Sequence, residues 1–298
     1  MKVLCVYNPK AGAGKAAKHI DEIKELFKTH SIDAEFVYTE HPHHGLDIAK
    51  NTDLKPYEGL IVAGGDGSFF DVLNGYLNNP DRENTPLGIL PVGTGNSLAR
   101  DILVDNNSLE AFVKLIAAGN TRDIDIAEVK TEKETFYFAN MMGFGMITDI
   151  SATAAKLKVF NKFAYTLGVL YNTIKLNTFD LKMIADGQEY DLDNVFVIVS
   201  NSQYTGGNYF IAPKAKINDG MLDLIILNKL SRYHLLETFP KIFDGSHIHT
   251  RFVDYLQAKE IKFATKNKKI LAPDGEVYGN LPAEISCLPK AVNIFANF

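Results

Sequence analysis

Residues 61–75 read IVAGGDGSFFDVLNG: an apolar run, two glycines, an aspartate, a third glycine, then a stretch with helical apolar spacing. Taken as strand, turn and helix, this segment sets the fold, because a short buried strand passing straight into a helix is the repeating half of an open α/β sheet. A glycine turn alone would join the two elements. Asp66, placed among Gly64, Gly65 and Gly67, therefore has two readings. Its carboxylate caps the next helix, or backbone and charge together approach a ligand.

Working outward, KVLCVY, AEFVY, GLIVA and LGIL read as strands. They are interleaved with helical periods in AAKHIDEIKELFKTH, around Gly45 to Asn51, in SFFDVLNGYL and in SLARDIL. Strands alternating with helices of this length imply parallel pairing, and ligands of such sheets sit beyond the carboxyl ends of the strands. NPKAGAGK, GGDGS and PVGTGNS each fall there. After about Arg122 the texture changes: DIDIAEV, TFYFANMM, FDLKMIAD, NVFVIVS, MLDLIIL, EIKFAT, KKILAPDGEVYG and AVNIFA are strand-like, with helix candidates only at Ser151 to Leu176 and Tyr233 to Phe243. The expectation is an α/β chain of two domains: an open parallel-sheet domain over 1–122, then a mostly antiparallel, β-rich domain over 123–298.

Composition narrows the function classes. With 46% hydrophobic and 22% charged residues, the 298-residue chain is globular and long enough for two cores. A net charge of −5 argues against a broad basic surface for nucleic acid. The two cysteines, Cys5 and Cys287, make neither a disulfide framework nor a CxxC metal spacing, which suits reduced thiols in a cytoplasmic protein. MKVLCVY is too short an apolar run for a signal peptide, and no run approaches the ~18 residues of a membrane span. A membrane, if met, is met from the water side. The histidines of HPHH (41–44) and HIH (247–249) lack a full ligand set nearby and read as surface loops.

NPKAGAGK fails as a P-loop, because Pro9 stands at the first glycine position and Ala16 follows Lys15. Gly12, Gly14 and Ala17 fit a G-x-G-x-x-A dinucleotide fingerprint, interrupted by Pro9, and keep an oxidoreductase open as a rival. In PVGTGNS, Gly93 and Gly95 let the backbone come close to a ligand, and a helix begins at Asn96 or Ser97 with N–H groups that suit a phosphate. A capped helix after a glycine turn is the plain alternative. Two glycine loops about 30 residues apart in one sheet could instead wall a nucleotide cleft.

Residues 151–179, SATAAKLKVFNKFAYTLGVLYNTIKLNTF, carry Lys156, Lys158, Lys162 and Lys175 and no acid, so the segment is +4 in a chain whose remainder is −9. Phe160, Phe163, Tyr165, Leu167, Leu170 and Tyr171 supply an apolar side. That is the composition of an interfacial helix on anionic lipid, and equally of a helix packed on a sheet with a solvated lysine face.

Taken together, NPKAG (8–12), GGDGS (64–68), GTGNSLAR (93–100), GGNYFIAPKAKINDGMLDL (206–224) and PDGE (273–276) resemble the diacylglycerol kinase catalytic family, which includes bacterial lipid kinases, sphingosine kinases and ceramide kinases. The motifs span nearly the whole chain in order. The resemblance implies that the second domain is a β-sandwich and that a cleft between the domains takes ATP and a lipid hydroxyl. It implies a nucleotide-phosphate loop of Gly64, Gly65, Asp66, Gly67 and Ser68, with Asp66 facing ATP and its Mg²⁺. Asn8, Gly93, Thr94, Gly95 and Asn96 would line the same site, with Gly275 and Glu276 of PDGE. It implies Asp274 as general base, Asp219 and Asp223 as ligands of a structural Mg²⁺, and Asp149 near the lipid headgroup. Ser68 replaces the commoner threonine but keeps the hydroxyl, and GTGNSLAR is as close to the sphingosine and ceramide kinase forms, which leaves the acceptor open.

Without the resemblance, Asp274 reads as a turn residue in a DG hairpin and Asp219-Gly220 as a turn preceding a strand. Oxygen ligands of this kind suit a hard cation. The expectation is an ATP- and Mg²⁺-dependent kinase transferring the γ-phosphate to a diacylglycerol or sphingoid-type acceptor, peripherally membrane-associated through 151–179. A NAD-kinase-like or other soluble small-molecule kinase and a catalytically silent nucleotide-binding module are the alternatives. A homodimer stays open.

Overall fold

The computed structural model describes residues 1–102, 108–156, 168, 171–206, 208–266 and 268–298. The chain divides into two compact units: Met1–Ile126 with Pro289–Phe298, and Ala127–Leu288.

In unit 1, β1 (Lys2–Tyr7), β2 (Asp33–Tyr38), β3 (Leu60–Gly64) and β4 (Leu87–Pro91) pair in parallel in the order β2-β1-β3-β4. β1, β3 and β4 are buried almost throughout, as strands covered on both faces must be, while β2 at the edge alternates. The helices are α1 (Ile20–Thr29), α2 (His44–Asn51), α3 (Asp66–Leu77), α4 (Ser97–Ile102) and α5 (Leu109–Ala118). α3 buries Phe69, Phe70, Val72, Leu73 and Tyr76, a helical stripe worth ~1.5–3 kcal/mol per side chain, which outweighs its two interior glycines at ~1 kcal/mol each. That stripe fixes where the helix, and hence Asp66, begins. The strand-and-helix reading passed over α5, although Ser108 caps it and Gly119, at φ 69°, ends it.

β5 (Thr121–Thr131) begins in unit 1 and carries the chain into unit 2. There follow β6 (Thr135–Phe138), β7 (Met141–Gly145), α6 (Met146–Lys156), β8 (Phe179–Ala185), β9 (Gln188–Ser200), β10 (Tyr204–Thr205), β11 (Tyr209–Phe210), β12 (Leu222–Asn228), α7 (Arg232–Thr238), β13 (Val253–Ala258), β14 (Glu260–Ala264), β15 (Leu271–Pro273) and β16 (Ala283–Phe295). Pairing within unit 2 is antiparallel, as expected. β9 is the hub: β12 lies along one edge, and on the other β9 changes partner from β8 to β7 between Asn194 and Phe196. α6, α7 and the turn Phe239–Ile242 lie over a buried cluster that includes Met141, Met146, Ile150, Val195, Ile198 and Ile225. Of the basic segment 151–179, positions 157–167, 169 and 170 lie outside the described residues; α6 ends at Lys156 and a helical turn reappears at 171–174.

The division differs from a boundary at 122/123. Unit 1 runs on to Ile126, and the chain returns to it inside β16, where Ile294 pairs with Leu87 of β4 in parallel. Val292, Ile294, Phe295 and Ala296 are buried. AVNIFA is legible as a strand, but its alternation says nothing about which sheet it joins, since the partner is set by residues some two hundred positions away.

Candidate active site

Three loops at the carboxyl ends of β1, β3 and β4 meet in unit 1. Asn8, just past β1, accepts from the Lys10 N–H through Oδ1 at 3.0 Å and donates from Nδ2 to Ser68 Oγ at 2.9 Å, tying the first loop to the start of α3. The run Gly12, Ala13, Gly14 is left-handed, with φ of 60°, 58° and 83°. A Cβ on Gly12 would come within 2.8 Å of the Val92 carbonyl, so the first loop also touches the third. The second and third loops are in backbone contact, since a Cβ on Gly93 would lie 2.3 Å from Gly65 Cα. Only glycine allows that approach.

Asp66 answers the question its sequence posed. Its Oδ1 accepts from Ser97 N at 2.7 Å and its Oδ2 from Ser97 Oγ at 3.3 Å, and the N–H groups of Asn96 and Leu98 add to the set. It caps a helix, but that helix is α4, opened by the third loop, rather than the α3 it belongs to. Burial pushes its pKa above the usual carboxylate value against the pull of these donors. Asn96, left-handed at φ 52°, closes the third loop on itself, accepting from Gly93 N at 3.1 Å and donating to the carbonyls of Gly93 and Pro91. Thr94 is exposed at the loop tip, and Gly67 sits in the first turn of α3, among the amides a helix start leaves without an intrahelical acceptor.

Beside these loops lies a cavity of about 260 Å³, lined by Asn8, Lys10, Thr39, His43, Ser68 and Asp71 among others. It is just under the ~300 Å³ lower end of small-ligand pockets, the size of part of a nucleotide. His43, at φ 61°, pairs through Nδ1 with Asp71 Oδ1 at 2.9 Å, and His41 stacks on His44 at 4.4 Å. HPHH lies at the surface, as expected, and the expectation did not include its place in this wall. The signal was present: Thr39 to His44 directly follow β2, and the rule that places ligands beyond strand ends applied there too. HIH divides differently from expectation. His247 is buried, with its ring nitrogens 2.9 and 3.4 Å from the carbonyls of Ile211 and Lys241, and burial lowers its pKa; it is a core residue.

In unit 2, Asp274 is only 7% exposed and left-handed at φ 46°. With Gly275 at φ 87° and the bond from Glu276 N to Pro273 O at 2.8 Å, it forms the tight turn its DG dipeptide suggested. Its carboxylate is turned inward: Oδ1 accepts from Asn140 N at 3.2 Å and Met141 N at 2.9 Å, and Oδ2 from Ala139 N at 3.4 Å. Gly275 and Glu276 are exposed on the same turn. Around Asn140, Ser202 Oγ bonds its Oδ1, and Asn201 Nδ2 donates to Ala139 O at 2.9 Å, so the donor segment is itself pinned.

Asp223, on β12, is fully buried, and its Oδ1 accepts from Tyr255 Oη at 2.7 Å and Gln257 Nε2 at 3.2 Å. Its Oδ2 has no partner. Burial, with the nearby Asp219 charge, pushes its pKa up to about 6. Asp219 is exposed and accepts from Met221 N at 3.0 Å. A buried carboxylate oxygen without a partner, next to a second carboxylate, fits an oxygen-loving cation, with backbone carbonyls and water completing the shell. No cluster of three or more His, Cys, Asp or Glu forms among the described residues. Asp149 is exposed on the first turn of α6; its carbonyl accepts from Thr153 Oγ1 and Asn172 Nδ2.

Comparison with known proteins also gives two parts, the second of which runs on into the C-terminal segment that packs in unit 1. Residues 2–129 match the diacylglycerol kinase catalytic domain, and residues 140–296 match the YegS C-terminal NAD kinase beta sandwich-like domain. The chain belongs to the diacylglycerol kinase catalytic-domain family. It is 28% identical to the diacylglycerol kinase of Bacillus subtilis over 97% of this chain and 94% of that one. It is 25% identical to sphingosine kinase 1 of Arabidopsis thaliana over 98% of this chain and 71% of that one. A solved chain from Bacillus anthracis str. Sterne, 26% identical, superposes with a TM-score of 0.83 over 99% of this chain and 97% of that chain. The family's fold, an α/β domain with a parallel sheet followed by a β-sandwich-like domain, is the one found here. Among the described residues no helix is long and apolar enough to cross a membrane.

Proposed function

We propose that this member of the family is an ATP- and Mg²⁺-dependent lipid kinase that transfers the γ-phosphate to the hydroxyl of a diacylglycerol or sphingoid-type acceptor. The observation that carries the reading is the meeting of three glycine-bearing loops at the carboxyl ends of the parallel strands, held in register by Asp66. It is supported by family membership over both domains.

Bound ATP with magnesium would supply the transferable phosphoryl group and neutralise its charge. The protein's share is positioning. Amides at the start of α3, at Gly67 and Ser68, and those of Thr94 and Gly95 in the third loop would bind phosphate oxygens. The cavity by Asn8 and Thr39 would take another part of the nucleotide. In unit 2, Asp274 would orient the acceptor hydroxyl and receive its proton; in a loose transition state the proton leaves late, so a carboxylate fixed in position serves. Asp219 and Asp223 would hold a cation, and Asp149 would meet the polar head of the acceptor.

The test is transfer of radiolabelled γ-phosphate to diacylglycerol, phosphatidylglycerol, sphingoid base and ceramide in mixed micelles, with Asp274→Ala in parallel. Label on one lipid, absent in the variant while ATP still raises its melting temperature, supports the reading. ATP binding without label on any lipid overturns it in favour of a soluble acceptor or a silent nucleotide-binding module.

A further inference from the structure

A kinase acting on an acceptor held in a bilayer must reach that bilayer, so this inference rests on the lipid-acceptor reading. Nine large hydrophobic side chains are exposed among the described residues, and five of them fall in two short stretches of unit 2: Tyr171 and Ile174, then Tyr233, Leu236 and Phe243. Ile174 and Tyr233 are 68% and 72% exposed. The stretches are joined, because the Arg232 guanidinium donates to the Ile174 carbonyl at 2.9 Å. They also share a core. Leu176 from the first and Leu235, Phe239 and Ile242 from the second belong to one hydrophobic cluster with Met146 and Ile150. The five exposed side chains are thus carried by segments whose inner residues are packed. Phe243 is further braced by Tyr209 at 5.2 Å and Phe239 at 6.2 Å.

Scattered surface apolar residues need no explanation, but a cluster on one layer does. Its charge indicates the occupant. Over 171–176 and 231–244 the charged side chains are Lys175, Arg232 and Lys241 against Glu237, which pairs with Lys241 at 3.6 Å, and Asp244, whose carboxylate accepts from Ser246 N and Oγ, so the excess is one positive charge and the cations nearest the exposed rings are Lys175 and Arg232. The Lys175 ammonium lies 5.0 Å from the Tyr171 ring. Tyrosine, phenylalanine and aliphatic residues edged by lysine and arginine form a surface suited to the interface of an anionic bilayer. A second copy related by two-fold symmetry would set this net positive surface against itself. We propose that Tyr171, Ile174, Tyr233, Leu236 and Phe243, edged by Lys175 and Arg232, form the face on which this protein docks onto an anionic phospholipid bilayer.

The chain has no tryptophan, so Tyr233→Trp installs a single reporter. On phosphatidylcholine vesicles containing phosphatidylglycerol, its emission should shift to the blue and be quenched by a lipid-borne quencher, and the shift should be absent on phosphatidylcholine alone. Ile184→Trp, on the β8–β9 hairpin, should not shift. In flotation, the triple variant Tyr233→Ser, Leu236→Ser, Phe243→Ser should lower vesicle partitioning about tenfold or more, and Arg232→Gln roughly fivefold. An unshifted reporter on floating protein, or a triple variant that floats like the wild type, would overturn the proposal. A wild type that sediments as a dimer which the triple variant dissociates would instead make this face a subunit interface. Transfer to a short-chain, monomerically dispersed acceptor keeps the two readings apart: the triple variant should retain it while losing transfer in vesicles. Vesicle binding that depends on these residues, with no transfer to any lipid, would sink the kinase reading and leave the docking face standing.

Discussion

Asp223 makes stability depend on pH with a sign and size that follow from its surroundings. Its carboxyl is fully buried, and its pKa is raised from 3.8 to about 6. Below the unfolded value both states hold the proton and nothing is lost. As pH rises from about 4 to about 6, the unfolded chain gives up its proton while the folded protein keeps it, so folding loses free energy across this window. The shift of about 2 pH units corresponds to ~3 kcal/mol, complete above pH 6. For a unit of this size that is roughly 6–12 °C in melting temperature. The assay is thermal unfolding of wild type and Asp223→Asn from pH 4 to 7.5, in chelator and in Mg²⁺. Asparagine keeps the acceptor for Tyr255 and Gln257 but cannot titrate, so the stability of wild type minus variant should fall by about 3 kcal/mol across the window in chelator. A cation on Oδ2 stabilises the ionised form, so Mg²⁺ should raise the wild-type melting temperature more at pH 7.5 than at pH 4.5 and leave the variant unmoved. A difference curve that is flat between pH 4 and 6 in chelator would refute the reasoning.

The same geometry sets further outcomes. Asp66→Ala removes the acceptor shared by the amides of Asn96, Ser97 and Leu98, and should cost about 2 kcal/mol in urea denaturation; it should also abolish ATP-induced stabilisation, because the third loop loses its anchor. Gly93→Ala drives a Cβ into the Gly65 backbone and should cost roughly 1–3 kcal/mol with a fall in nucleotide affinity measured by calorimetry. Gly275→Ala meets nothing within 4 Å and carries only the left-handed backbone penalty of ~1–2 kcal/mol, so its stability, read from the melting temperature, should fall by that amount and no more. Tyr255→Phe deletes the hydroxyl that donates to Asp223 and should extend the pH window over which the variant's stability falls to higher pH than in the wild type, read from the same unfolding curves.

The first unit was legible because its signals are local. An apolar run, a glycine and a helical stripe recur along the first hundred residues, and each names its element and the loop between. Asp66, by contrast, was legible as a capping residue or a ligand-facing one, yet the helix it caps starts thirty-one positions away. The return of Val292 to Ala296 to the first sheet, the burial of His247 and the cavity wall from Thr39 to His43 share that character: each depends on which distant segment packs alongside. Single-residue periodicity cannot encode a partner. The ordered motif set could, because matching several separated motifs at once carries long-range information that no one of them holds.

The two motif aspartates show what such motifs preserve. Asp66 accepts from the amides of three consecutive residues, Asn96 to Leu98, and Asp274 from another three, Ala139 to Met141. In each unit a carboxylate at a glycine turn gathers successive main-chain donors from a segment that follows a strand. A charge-assisted set of this kind holds the donor backbone in one conformation and fixes the carboxylate with it. Replacement by asparagine would present an NH₂ group to some of those same donors, so the substitution is conservative in shape alone. Both positions are therefore first of all devices that define backbone, and any chemistry Asp274 performs is performed by a carboxylate already held in place.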